Sequence, residues 1–308
     1  MNTRHCTKSI VCAIASVFAL NGSASATLLI YEPFDYASTA GVNNGASLGD
    51  GNQAGGTGLG TWSQANTGTN EIDVADSGLT FTDGGGNVLP VAGNSMERAV
   101  RQGQAAVSSP IVASGFTADN STIWMTFLYQ DRGFSGPDFG IGLHSENMIG
   151  NDNQTLAAAG FGVGFGINAT ANPLRAISAL YYDNSTEFTR VTELTESFSG
   201  QTASDILLFA MKVDWNPDGT DDVISVYNVT DLTAEPTVPL ATATVDFSQA
   251  EQDSLNVFNI SETQVAFVDE VRVATTFQDA VGATAIPEPS SFLLGALSGL
   301  LALRRRRK

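Results

Sequence analysis

Phe161-Gly162-Val163-Gly164-Phe165-Gly166-Ile167 alternates large apolar residues with glycine over seven positions. In an extended strand successive side chains point to opposite faces, so the large residues share one face and the glycines the other. A helix would scatter the same residues around its axis, and its interior glycines would each disfavour it. The stretch therefore reads as a strand with one face made for a core. Its other face carries no side chains, which leaves room for a bulky group or a second backbone to lie close.

Similar runs recur on both sides of it. Stretches 28–31, 123–129, 139–143, 176–182, 206–215, 223–229, 242–247 and 264–273 are alternating or rich in β-branched and aromatic residues. Clusters of Gly, Asn, Asp, Pro and Ser separate them, as turns require. No window outside the two chain ends sustains a 3.6-residue apolar period at helical length. The pattern predicts an all-β chain: one antiparallel β-sandwich of jelly-roll type over residues 27–279. Residues 43–60 read as a long Gly-rich surface loop, and 280–286 as a short linker.

The ends follow a different logic. Arg4 and Lys8 precede an apolar run at 10–20, and Ala24-Ser25-Ala26 supplies a small-x-small cleavage pattern. Residues 1–26 thus read as a secretory signal removed by signal peptidase, with the mature chain starting near Thr27. Both cysteines of the chain, Cys6 and Cys12, fall inside it. The mature chain is then cysteine-free, and a large core must stabilise it without disulfides. At the other end stand Pro287-Glu288-Pro289, the apolar run 292–303, and the five cations Arg304 to Lys308. Residues 290–303 read as a membrane helix with the basic tail 304–308 held in the cytoplasm. Its length, roughly 21 Å at about 1.5 Å per residue, is short for a hydrocarbon core of about 30 Å.

Those three elements, in that order at the extreme C-terminus, resemble the PEP-CTERM sorting signal of Gram-negative bacteria. The resemblance covers residues 287–308 and implies that Pro287, Glu288 and Pro289 are recognised by an exosortase, a membrane protease. It further implies that the chain is anchored by its C-terminal helix before processing. The passenger is then released to the cell surface or an exopolysaccharide matrix.

Charge narrows the partners. Of the 14 basic and 32 acidic residues in the chain, Arg4, Lys8, the five terminal cations and Glu288 belong to the two end segments. Residues 27–286 keep 7 basic and 31 acidic side chains, a formal charge of −24. Nucleic acid is excluded as a partner, since its phosphates need clustered Lys and Arg. The same field favours neutral glycans or divalent cations over anionic polymers.

Several short stretches of the body add a second resemblance. Val268-Asp269-Glu270-Val271-Arg272-Val273 is similar to the closing strand of LamG-like domains of the concanavalin A-like superfamily. Lys212-Val213-Asp214-Trp215 followed by Val223-Ile224-Ser225-Val226-Tyr227 is similar to an inner hairpin of those domains. Tyr31-Glu32-Pro33-Phe34-Asp35-Tyr36 and the Gly-Gly-Thr-Gly loop ending at Trp62 resemble the opening of many PEP-CTERM passengers. That superfamily includes lectins, adhesive modules and glycosidases, so the resemblance implies a fold and leaves the activity open.

Candidate sites are few. Glu71-Ile72-Asp73-Val74-Ala75-Asp76 resembles the catalytic strand of laminarinase-type glycosidases, with Glu71 and Asp73 as the paired carboxylates that glycoside hydrolysis needs. Asp214, Asn216, Asp218 and Asp222 alternate oxygen ligands around Gly219, the spacing of a calcium loop. The same Asn-Pro-Asp-Gly is also an ordinary hairpin turn. Trp62, at a loop end, is the candidate for stacking on a sugar. His144, the one histidine of the mature chain, has no Gly-x-Ser-x-Gly elbow to make a triad with. The expectation is an exported, non-enzymatic surface or matrix protein that binds or adheres to extracellular polysaccharide, with calcium as a possible cofactor. The alternative is a secreted glycan-active hydrolase.

Overall fold

The computed structural model describes residues 27–37, 48, 50–64, 72–98, 105–113, 118–131, 139–144, 160–167, 175–182, 188–194, 205–259 and 266–282. The signal 1–26 and the sorting segment 287–308, with its expected membrane helix, lie outside the described residues. Among the described residues no helix is long and apolar enough to cross a membrane.

The strands, in chain order, are β1 (Leu28–Glu32), β2 (Asp50–Ala54), β3 (Thr61–Gln64), β4 (Asp73–Val74), β5 (Met96–Arg98) and β6 (Ala105–Pro110). There follow β7 (Thr122–Asp131), β8 (Phe139–His144), β9 (Gly160–Ile167), β10 (Arg175–Tyr182) and β11 (Phe188–Leu194). The last are β12 (Ile206–Asp214), β13 (Asp222–Val229), β14 (Ala241–Val245), β15 (Ser254–Asn259) and β16 (Ala266–Ala274), before a short helix α1 (Phe277–Ala280). They form two eight-stranded sheets. The first runs β14-β13-β12-β7-β16-β5-β4, with β1 also paired to β16; the second runs β11-β10-β9-β8-β15-β6-β3-β2. Every strand pair is antiparallel.

One apolar cluster joins the sheets face to face. Ile123, Met125, Phe127 and Tyr129 of β7 and Phe209, Met211 and Val213 of β12 pack in the same cluster as Val107, Ile141, Leu143, Leu255 and Val257 of the second sheet. These are alternate residues, as the strand period demands. The intervening residues of the first sheet are also buried, in a second cluster on its outer face: Trp124, Leu128, Leu208, Ala210 and Tyr227. Strand β7 is thus covered on both sides, which is why 123–129 reads as a continuous apolar run rather than an alternating one.

The outer cluster is roofed by Leu79, Leu89, Leu232, Phe277, Ala280 and Val281. Four residues of helix cannot persist alone, because nucleation costs more than so few hydrogen bonds return. Tertiary contacts hold α1 instead. Burying Phe277 and Val281 contributes about 1.5–3 kcal/mol each. The Thr276 side chain caps the Asp279 N–H, and Thr126 Oγ1, buried in mid-strand, donates to the Ala280 carbonyl at 2.8 Å. Because Ala280 and Val281 are 0% and 1% exposed, the packed body runs past 279 into what the sequence presents as linker.

The Gly-rich stretch 43–60 also differs from expectation. Over its described part it holds strand β2, and isolated bridges tie Thr57 to Tyr31 and Leu59 to Ile111. Its glycines serve close approach. A Cβ on Gly56 would stand 2.0 Å from the Tyr31 carbonyl oxygen, and one on Gly58 2.2 Å from that of Leu29.

Candidate functional site

Of the carboxylate pair that the hydrolase alternative needs, only Asp73 lies among the described residues. Asp73 lies on the two-residue edge strand β4, in register with Glu97, and is 1% exposed. Glu71 lies outside the described residues. Glycoside hydrolysis needs both carboxyls flanking a bond that water and sugar can reach, and burial withholds Asp73 from one.

The 214–222 turn is closed by the protein's own donors. Asp222 Oδ1 accepts the Asn216 N–H at 2.7 Å and Oδ2 the Phe247 N–H at 3.0 Å. Asp214 Oδ1 accepts Thr122 Oγ1 at 2.6 Å, while Oδ2 pairs with Lys212 Nζ at 3.0 Å. Asp218 is exposed at the tip, where the Thr220 N–H donates to the Pro217 carbonyl and Gly219 takes a positive φ of 86°. Burial raises the Asp222 pKa, and the charges of Asp246 and Asp218 add to it. Calcium needs six or more converging oxygens. Here the carboxylates of Asp214 and Asp222 face protein donors, and among the described residues no group of three or more His, Cys, Asp or Glu is placed to hold a metal ion.

Trp62 is placed for a different role from the one its loop-end position suggests. Its ring is 0% exposed and stacks on Phe34 at 6.1 Å between centroids. A buried ring cannot serve as a platform for sugar. Its Nε1 donates to Glu32 Oε2 at 3.0 Å. That carboxylate, itself 0% exposed, also accepts the Phe34 N–H at 2.8 Å, the Tyr36 hydroxyl at 2.7 Å and the Gly56 N–H at 2.9 Å. Burial, and then the neighbouring Glu32, push the Tyr36 hydroxyl far above its ordinary range, so it stays a donor. The two stretches that resemble a passenger opening are therefore halves of one buried knot.

The knot is one case of a general device. Asp83 gathers the N–H groups of Gly85, Asn87 and Leu232 at 2.9, 2.7 and 2.9 Å, and these donors, Leu232 first, pull its pKa down to about 2. Asp269 accepts Leu79 N–H and Glu270 N–H, each at 2.7 Å. Glu270 accepts Ala92 N–H at 2.5 Å. With Glu32 and Asp222, five buried carboxylates hold loops by their backbone donors. Hydrogen bonds to a charged acceptor are worth about twice neutral ones, so a short acid is an effective staple for a body, residues 27–282, that contains no cysteine.

One face carries a different chemistry. In the second sheet Ser63 is in register with Ser108, Ser108 with Asn256, Asn256 with Gly142, and Gly142 with Gly162. One step along, Gly140 stands opposite Gly164. The residues between, Val107, Val257 and Ile141, belong to the interlayer core, so this row lies on the sheet's other face. It holds hydroxyls, an amide and a run of glycines two strands wide, of which Gly140 and Gly142 are buried, and its register continues to Asp50 opposite Ser63 at one edge and, through Leu180, to Arg190 at the other. Ser108 and Asn256 are 1% and 0% exposed. His144, opposite Ser254, is also buried, and burial pushes its pKa down to about 3, so the imidazole is neutral. The alternation at 161–167 foreshadows the glycine run; nothing in the sequence told which strands would join it.

No protein-family model matches this chain, and no curated protein does. Among solved structures it is similar to the T. cruzi calreticulin globular domain, at 7% identity and a TM-score of 0.49 over 92% of this chain and 100% of that one. A lectin from Bauhinia forficata in complex with GalNAc is similar at 14% identity and a TM-score of 0.40, over 82% and 100%. The CBM2 module of the evolved Dit of Lactobacillus casei BL23 phage J-1 gives 9% and 0.42, over 82% and 96%. Likeness at this level assigns no activity, which rests on the residues of this chain.

Proposed function

We propose that residues 27–282 are the passenger of a PEP-CTERM protein, exported by the signal 1–26 and delivered to the cell surface or an exopolysaccharide matrix through the 287–308 tail. The body is a LamG-like jelly roll that binds neutral polysaccharide and does not cleave it. The observation that supports this reading is the charge of the antiparallel sandwich, whose surface neutral glycans can approach without the repulsion that anionic polymers meet. The −24 charge of the body disfavours uronates, sulfated glycans and nucleic acid. Exosortase and signal peptidase act on the chain as processing enzymes. The test is a panel of neutral and acidic polysaccharides offered to the exported protein with and without EDTA, scored for both retention and new reducing ends. Retention on neutral polymers without new reducing ends is the expected result. New reducing ends that vanish in Glu71→Gln would replace this reading with the hydrolase.

A further inference from the structure

In a body of formal charge −24, residues 77–95 carry a single ionisable side chain, Asp83. It is 7% exposed, and its oxygens accept the N–H groups of Gly85, Asn87 and Leu232. The stretch doubles back over the outer face of the first sheet: Thr82 bridges to Val88, and the Leu89 N–H donates to the Phe81 carbonyl at 3.0 Å. Leu79 and Leu89 turn inward onto the outer cluster. Val88 and Val91 turn outward, 64% and 37% exposed, with Pro90 and Ala92 exposed beside them. Two of the four exposed large hydrophobic residues among those described thus stand three positions apart, in a run, 84–93, without a charged residue. Exposed acids rim it, Asp35 beside Gly93 and Asp231 near Asp83.

The chain leaves the body at the same place. A Cβ on Gly282, the last described residue, would stand 2.7 Å from Arg272 Nη1 and 3.6 Å from Pro90 Cγ, and Arg272 Nη2 donates to the Pro90 carbonyl. Eight peptide steps separate Gly282 from Ser290, and fully extended they reach no further than about 29 Å. On the reading of 290–303 as a membrane helix, on which this inference rests, Pro90 and its neighbours are held close to the bilayer. We propose that Val88–Ala92 is a membrane-contact surface. While the tail anchors the chain, the outer face of the first sheet lies against the bilayer, and Val88, Pro90 and Val91 enter the headgroup region. The acidic remainder of the body is repelled by anionic headgroups within a Debye length of about 8–10 Å, which leaves the uncharged run as the face of closest approach. So few apolar side chains bind a bilayer only weakly by themselves. The tether makes the contact intramolecular and raises its effective concentration, so cutting the tail frees this face together with the body.

Residues 27–282 contain no cysteine, so in the full chain with Cys6→Ser and Cys12→Ser one new cysteine takes a single environment-sensitive fluorophore. Val88→Cys and Val91→Cys place it on the run. Asp218→Cys is the control, on the turn between β12 and β13. That turn lies at the end of β13 opposite Thr230, whose carbonyl accepts the Gly84 N–H at 3.3 Å. The labelled chains are reconstituted into phosphatidylethanolamine–phosphatidylglycerol vesicles, with and without doxyl-labelled lipid, and floated. The expected result is flotation of all three. At Val88 and Val91 emission shifts to the blue, quenching by aqueous iodide is lost and quenching by doxyl lipid appears, while Asp218 stays open to iodide. Flotation with Val88 and Val91 as open to iodide as Asp218 overturns the contact and leaves the anchor standing. Failure to float overturns the anchor and the contact with it. Shielding from iodide without quenching by doxyl lipid also overturns the contact, because a protein surface then covers the run. No readout depends on glycan binding.

Discussion

Glu32 shows what one acidic residue does in this body. Its two oxygens satisfy four donors from Phe34, Tyr36, Gly56 and Trp62 in a site 0% exposed. Glu32→Ala should therefore destabilise the protein by about 3 kcal/mol or more in denaturant titration, since each orphaned buried donor costs about 1–3 kcal/mol. Trp62→Phe keeps the ring and removes one donor, so its cost should be nearer 1 kcal/mol. Equal losses would mean that packing, not the carboxylate, holds the knot. None of this was legible in the sequence. Trp62 at the end of a glycine loop looks like a platform for sugar, because its partner lies 30 residues away and periodicity carries no information about such pairs. The acids of the stretch 268–273 are likewise visible as a motif, but their loop partners lie 190 and 178 residues distant.

Elements were far more legible than contacts. The β-rich runs at 123–129, 206–215 and 223–229 correspond to β7, β12 and β13, because β-branched and aromatic residues bounded by turn residues act locally. The roof of the first sheet was not, since its four-residue helix has no period to read. Residues 280–282 belong to the stretch that reads as linker, and together with α1 they behave as a strap. Phe277, 2% exposed, meets Trp124 edge-on at 5.3 Å. Phe277→Ala should cost about 3–5 kcal/mol, measured by thermal or chemical unfolding with far-UV dichroism to confirm that both sheets persist. A loss below 1 kcal/mol would show that the strap is no part of the fold.

At the scale of the whole molecule, the opening alternation reaches furthest. The glycines at 162 and 164 pair with Gly142 and Gly140 across two strands, so a local pattern becomes a two-strand glycine run only through a register that the sequence leaves unstated. The acidic body and the carboxylate staples then divide the labour: the net charge sets which polymers can approach, and the buried acids brace the loops. That division is the central claim, and charge selectivity tests it. Affinity electrophoresis through gels containing a neutral or a uronate polysaccharide should show the protein retarded by the neutral polymer at least about tenfold more strongly than by the acidic one. Equal retardation in the two gels, or none in either, would contradict the account.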